Sequence, residues 1–228
     1  MEPTRRHLHG RRQGRPLRDG LKRLFETELA ERALTLPEAG RPLDPASLFA
    51  APRADLWLEI GFGGGEHLSW QAAANPEVGF LAAEIFLNGV AKALRSLREA
   101  AADNVRLYTG DGRDLLDRLP PGCLGRAFVL FPDPWPKARH NKRRIVQGET
   151  LDRLAAALRP GAELRLATDD PDYAAWMLVQ LDRHPDFAWT ARRAADWRRR
   201  PADWPPTRYE EKALAAGRAP AFLIWRRR

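Results

Sequence analysis

Leu56-Trp57-Leu58-Glu59-Ile60-Gly61-Phe62-Gly63-Gly64-Gly65 decides the architecture of this chain. Its first five residues are a short apolar run broken only by Glu59, the pattern of a strand buried on both faces. Four glycines follow, and glycine lets the backbone turn tightly and approach a ligand closely. A helix is expected over residues 66–74, so the unit reads strand, glycine turn, helix. The same alternation continues along the chain. Strands are expected at 79–84, 105–108, 127–131 and 163–167, interleaved with helices at 87–101, 114–118 and 149–158. A helix at 172–184 precedes late strands at 187–191 and 222–225, which are separated by a long insertion rich in Arg, Trp and Pro. Strict alternation predicts an α/β fold with a mostly parallel seven-stranded sheet, helices on both faces and an antiparallel last strand.

The glycine turn is only a partial dinucleotide fingerprint. G-x-G-x-x-G would need glycine where this chain has Glu66, and an acid there sits poorly beside an anionic pyrophosphate. What remains is E-x-G-x-G-x-G, which resembles motif I of class I S-adenosylmethionine-dependent methyltransferases. That cofactor carries a sulfonium and an ammonium group and no phosphate, so acids around Gly61 and Gly63 suit it. Glu84 closes the second strand 19 positions after Gly65, where a carboxylate can bind both ribose hydroxyls. Asp111 follows the third strand, placed to meet an adenine amino group, and Asp133 follows the fourth. Any one of these acids reads equally well as a surface turn or a helix cap; their joint placement at four successive strand ends selects a binding site.

Asp133 lies in Phe131-Pro132-Asp133-Pro134-Trp135-Pro136, a loop stiffened by its prolines. The cationic run Lys137, Arg139, His140, Asn141, Lys142, Arg143 and Arg144 follows without an acid. Further basic clusters are Arg198-Arg199-Arg200, Arg226-Arg227-Arg228 and an N-terminal group of Arg5, Arg6, Arg11, Arg12, Arg15, Arg18, Lys22 and Arg23. With 38 Lys+Arg against 30 Asp+Glu the net charge is +8, and the clustering has the form of a footprint on nucleic acid. The first 20 residues are expected to be mobile without RNA and to grip it as an arm. Residues 21–34 carry a helical pattern, and 36–52 is a Pro-punctuated linker. The division is therefore a basic extension over 1–50 and a methyltransferase domain over 51–228.

One cysteine, Cys123, excludes an intramolecular disulfide and a cysteine-based metal cluster. No His/Asp/Glu grouping has metal spacing, so no metal is expected. No apolar stretch approaches the ~20 residues of a membrane span, which makes the cytoplasm the expected compartment. Monomer and homodimer are both compatible with the sequence.

The loop from Phe131 to Arg144, with Thr168-Asp169 and Pro206-Thr207-Arg208-Tyr209-Glu210, closely resembles the bacterial tRNA guanine-N7 methyltransferase family over nearly the whole chain. The resemblance implies that Glu59, Glu84, Asp111 and Asp133 bind S-adenosylmethionine, with Asp133 also catalytic. It implies that Lys137, Asp169, Thr207, Arg208, Tyr209 and Glu210 meet the target nucleotide, and that Arg139, His140, Asn141, Lys142, Arg143 and Arg144 meet the RNA. The expected reaction is methyl transfer to N7 of a guanine in the tRNA variable loop. A nicotinamide-dependent oxidoreductase, a binding-only RNA protein on an inactive fold and a methyltransferase for another acceptor are the competing readings. Residue by residue, Asp170 and Asp169 also read as caps of the helix beginning near Asp172, and Trp135 as a core anchor in preference to a stacking platform.

Overall fold

The computed structural model describes residues 10–228; Arg5 and Arg6 of the N-terminal basic group lie outside the described residues. Seven strands form one sheet in the order β3-β2-β1-β4-β5-β7-β6. They are β1 (Asp55–Ile60), β2 (Val78–Ala83), β3 (Val105–Tyr108), β4 (Leu124–Leu130), β5 (Leu158–Thr168), β6 (Phe187–Trp189) and β7 (Ala221–Arg227). β1 pairs in parallel with β2 and β4, β2 with β3, and β4 with β5; β7 runs antiparallel to both β5 and β6. This is the mostly parallel seven-stranded sheet with an antiparallel last strand that the alternation predicts.

Alternating side chains divide the core into two layers. Trp57, Phe80 and Phe128 face helices α1 (Asp19–Arg32), α2 (Glu66–Ala74) and α3 (Leu87–Glu99), which supply Leu24, Leu68, Val90 and Leu94. Their neighbours Leu58, Leu81 and Val129 face α4 (Gly112–Leu116), α5 (Gly148–Ala157) and α6 (Pro171–Asp182), which supply Leu115, Leu151 and Met177. A strand covered on both faces buries every residue in turn, which is why β1 and β2 read as near-continuous apolar runs.

The 36–52 linker is more than a spacer. Leu43 and Phe49 are buried in the core, and the Leu34 N–H donates to the Leu107 carbonyl at 2.8 Å. Phe49 fills the space over Gly79, where an added Cβ would lie 2.7 Å from its ring. β5 begins directly after α5, five residues earlier than its apolar run suggests: Leu158 pairs with Leu124, the exposed Arg159-Pro160-Gly161 stretch falls in a register shift, and pairing resumes at Glu163 with Arg126. The insertion between β6 and β7 contains two helices that its composition hides, α7 (Ala195–Arg198) and α8 (Arg208–Ala215).

The strand order reverses between β1 and β4. At such a switch point the loops leaving the two strands diverge to opposite faces, opening a crevice at their C-terminal ends. The glycine turn leaves β1 there, and the Asp133 loop leaves β4.

Candidate active site

Three of the glycines carry the turn. Gly61, Gly63 and Gly65 have φ of 79°, 55° and 81°, the left-handed region that a side chain disfavours. Gly65 has a second constraint, since a Cβ there would sit 2.5 Å from the Ala93 Cβ of α3. The turn is tied down from two sides. The Gly63 N–H donates to Glu84 Oε2 at 2.8 Å, and the Phe86 N–H donates to Glu84 Oε1 at 2.9 Å. Beneath the turn, Glu59 Oε2 lies 2.8 Å from His67 Nδ1, both side chains being buried.

Glu59, expected at the cofactor, is held by that pairing. Glu59 is not on the cleft wall: its carboxylate bonds a ring on α2, so it joins the end of β1 to the start of that helix. The other three acids do line a common cleft of about 380 Å³ with Gly61, Gly63 and Tyr209, within the size range of small-molecule sites. Burial pushes the Glu84 carboxyl above the ordinary glutamate range, and the nearby Asp133 charge adds to the rise against backbone hydrogen bonds that oppose it. Asp111 caps α4 through the Arg113 N–H at 2.9 Å, and its two oxygens accept from the Arg113 guanidinium at 2.5 to 3.1 Å.

Asp133 is exposed and sits between two left-handed residues, Phe131 at φ 49° and Trp135 at φ 47°. Non-glycine residues in that region are uncommon, and they persist where the surroundings over-determine them. The surroundings here are visible. The Phe131 N–H donates to the Ala167 carbonyl at 2.7 Å, and Arg144 Nε donates to the Pro134 carbonyl at 2.8 Å. Trp135 is not a core anchor. It is partly buried, lines the cleft, and stacks under the Arg143 guanidinium at 4.9 Å from the ring centroid.

Arg144 differs from its place in the basic run. It is 1% exposed, packs against the Tyr173 and Trp176 rings at 4.8 and 5.0 Å, and bonds the Asp172 carboxylate. A guanidinium so enclosed does not reach a phosphate, so the expected RNA contact at Arg144 is replaced by a structural one. Lys137, Arg139 and Lys142 are exposed, His140 and Asn141 partly so, and Arg143 also reaches the cleft.

The remaining expected substrate residues divide. Tyr209 lines the cleft and stacks on Phe131 with ring planes 18° apart, and Arg208 pairs with Glu66 at 3.4 Å. Lys137, Asp169, Thr207 and Glu210 do not line the cleft. Asp169 is bridged to Arg218 at 2.7 Å, while Asp170 caps α6 through the Tyr173 N–H at 2.8 Å, so the capping role falls to Asp170 alone. Thr207 caps α8 by accepting from the Glu210 N–H at 3.2 Å.

Sequence reasoning did not place Gly10 and Arg11 on the cleft wall, where the structure puts them. Rather than hanging free, residues 10–18 are clipped to the start of α3. Leu87 N–H donates to the Arg12 carbonyl at 3.0 Å, Gly14 N–H to Asn88 Oδ1 at 2.7 Å, and Asn88 Nδ2 to the Arg15 carbonyl at 2.7 Å. The signal available was Asn88 at the helix start, which has no partner that sequence alone could name.

Among the described residues no group of three or more His, Cys, Asp or Glu could hold a metal ion, and no helix is long and apolar enough to cross a membrane. The cleft offers carboxylates for hydroxyls and positive charge, which suits a cationic nucleoside.

Comparison with known proteins agrees with this chemistry. A family model described as "Putative methyltransferase" matches residues 53–223. The chain is 56% identical to a tRNA (guanine-N(7)-)-methyltransferase of Rhodospirillum rubrum, covering 97% of this chain and 88% of the relative. It is 48% identical to a protein of that name from Paramagnetospirillum magneticum, covering 98% and 94%. Among solved structures, a 16S rRNA (adenine(1408)-N(1))-methyltransferase from Catenulisporales acidiphilia superposes with a TM-score of 0.53 at 17% identity, covering 85% of this chain and 98% of that one. This last likeness is one of fold alone.

Proposed function

The chain belongs to the tRNA (guanine-N7-)-methyltransferase family, and on that premise we propose how its own residues share the work of methylating N7 of a tRNA guanine. S-adenosylmethionine supplies the methyl group. The convergence of Glu84, Asp111 and Asp133 on one cleft carries the reading. Glu84 holds the ribose hydroxyls while keeping Gly63 in place, Asp111 stands at the adenine end, and Asp133 stands at the mouth. Gly61 and Gly63 let the backbone close on the ligand. Glu59 and His67 keep that turn in shape from below.

Guanine N7 has a free lone pair and no proton to lose, so no general base is required. The residues must align the two partners, which is catalysis by positioning. Positive charge appears on the purine as it is methylated, and the fixed Asp133 carboxylate stabilises or orients that charge. We assign the target nucleotide to Tyr209, stacked on Phe131, and to Arg208, Thr207, Glu210, Asp169 and Lys137. Arg139, His140, Asn141, Lys142 and Arg143 hold the RNA. We assign the acceptor to a guanine of the variable loop, the catalytic domain to residues 51–228, the extension to 1–50 and the site of action to the cytoplasm.

Methyl transfer to unmodified tRNA, measured beside a tRNA whose variable-loop guanine is adenine, tests this assignment. Transfer to the first alone is expected; equal transfer to both refutes the position, and none to either refutes the acceptor.

The raised Glu84 pKa has a signed consequence. The folded free protein holds the Glu84 proton to higher pH than the unfolded chain does, so ionised Glu84 lowers the stability of the empty protein. That loss is absent below the ordinary glutamate range of about 4.3 and complete above the raised value. Binding ribose and positive charge requires the ionised form. Cofactor affinity therefore falls on acidification, and the fall begins above the ordinary glutamate range. Calorimetric titration of S-adenosylmethionine on progressive acidification from pH 8 into the ordinary glutamate range should show this step in the native protein and lose it in Glu84→Gln; a step that survives the substitution belongs to another group.

A further inference from the structure

Residues 10–18 run along the start of α3 as a strap with two different sides. One side closes the cleft: Gly10 and Arg11 line it beside Glu84, Ile85 and Phe86, and a Cβ at Gly10 would lie 2.8 Å from Ile85 Cδ1. The other side carries Arg12, Arg15 and Arg18, all exposed. A segment with a ligand wall on one side and a row of guanidinium groups on the other is placed to touch both partners of the reaction.

Few contacts seat this strap. α3 starts without a side-chain cap, and its Leu87 N–H donates to the Arg12 carbonyl at 3.0 Å, which satisfies one of the donors a helix start leaves open. Asn88 supplies the rest. Its Oδ1 accepts from the Gly14 N–H and its Nδ2 donates to the Arg15 carbonyl, both at 2.7 Å. One carboxamide thus engages the strap backbone as donor and acceptor together. The approach at Gly14 is close, since an added Cβ would lie 3.1 Å from both Asn88 Oδ1 and the Phe86 ring. Glu84 ties the same segment to the glycine turn through the Phe86 and Gly63 N–H groups. Strap, Glu84 and glycine turn therefore form one connected frame around the cleft.

We propose that Asn88 is a positioning residue: it seats the strap as a wall of the cofactor site, so that S-adenosylmethionine and tRNA bind with positive coupling. This rests on the reading that the cleft takes S-adenosylmethionine and the arm arginines take RNA. Asn88 does not line the cleft, so it acts through the strap. A cofactor held between Glu84 and Gly10 orders the strap, and RNA that meets an ordered strap no longer bears that entropic cost. The coupling is reciprocal, so RNA on the arginines retains the cofactor by the same factor.

The test uses the full chain and S-adenosylhomocysteine, which lacks the transferable methyl group and binds without reacting. Two quantities are measured with and without it: the Kd for unmodified tRNA, and the rate of trypsin cleavage after Arg11 and Arg12, followed by intact mass. In the native protein S-adenosylhomocysteine is expected to tighten tRNA binding about fivefold or more and to slow cleavage. Both effects are expected to vanish in Asn88→Ala at saturating S-adenosylhomocysteine. They should be intermediate in Asn88→Asp, which keeps the acceptor for Gly14 and loses the donor to Arg15. Gly14→Val crowds the strap off the same seat with Asn88 intact, and it should behave as Asn88→Ala does. A native protein that binds S-adenosylhomocysteine but shows neither effect refutes the coupling and leaves the cofactor reading standing. Failure of the native protein to bind it at all sinks the cofactor reading itself. Coupling that survives in Asn88→Ala removes Asn88 from this role.

Discussion

Asp133→Ala reduces the rate of methyl transfer by about 10²–10³-fold, the usual loss when one preorganised group that stabilises transition-state charge is removed. The expectation comes from placement. Asp133 stands at the mouth of the cleft on a loop held in two left-handed turns, and its charge is felt by Glu84 across the site. Such a carboxylate needs no reorganisation as positive charge arrives on the purine. Single-turnover rates at saturating S-adenosylmethionine isolate this effect from cofactor affinity. Asp133→Asn, which keeps the shape and loses the charge, should lie near alanine if the charge matters and near the native rate if hydrogen bonding alone does. Retention of more than about a tenth of the native rate in Asp133→Ala would remove the residue from the chemistry.

Arg144→Met is expected to have the largest effect on stability of any change in the basic run. The substitution removes a charge-assisted hydrogen bond to the Pro134 carbonyl and stacking against Tyr173 and Trp176. The Asp172 partner is 74% exposed, so its ion pair adds little and is discounted. Together the lost terms amount to about 3 kcal/mol, or a fall of roughly 6–12 °C in melting temperature for a protein of this size. Arg144→Lys should recover little, since lysine lacks the planar face. Substituting the exposed Arg139 or Lys142 should leave thermal stability alone and weaken RNA binding, most visibly in its salt dependence. A melting temperature unchanged in Arg144→Met would return that residue to the RNA surface.

The fold was legible because its strands are short apolar runs and its first turn is almost pure glycine. The start of α2 at Glu66 comes directly from where the glycines stop. The acids at the ends of β2, β3 and β4 were legible for the same reason: strand ends were visible, and the residues just past a strand's C-terminal end in a parallel sheet face the crevice. Glu59 shows the limit of that logic. It lies inside the strand, where alternation sends a side chain to either face, and only the position of His67 reveals which. Arg144 shows another, since a cation run carries no mark for the one member that turns inward. The helix α8 was hidden by its polar, charged sequence; its one local sign was the Thr207–Glu210 spacing, which also belongs to the family motif. The burial of Phe49 depends on the space left over Gly79, which the linker's own sequence does not announce.

The left-handed residues at 131 and 135 set stability and activity against each other. On backbone grounds alone glycine is the better residue at both positions, each non-glycine left-handed residue costing on the order of 1–3 kcal/mol. Glycine would also delete the ring that stacks on Tyr209 and the ring that carries Arg143. A screen for thermal tolerance would therefore be drawn toward variants that melt later and methylate worse, while selection for function keeps the aromatic side chains and carries the conformational tension as a standing cost.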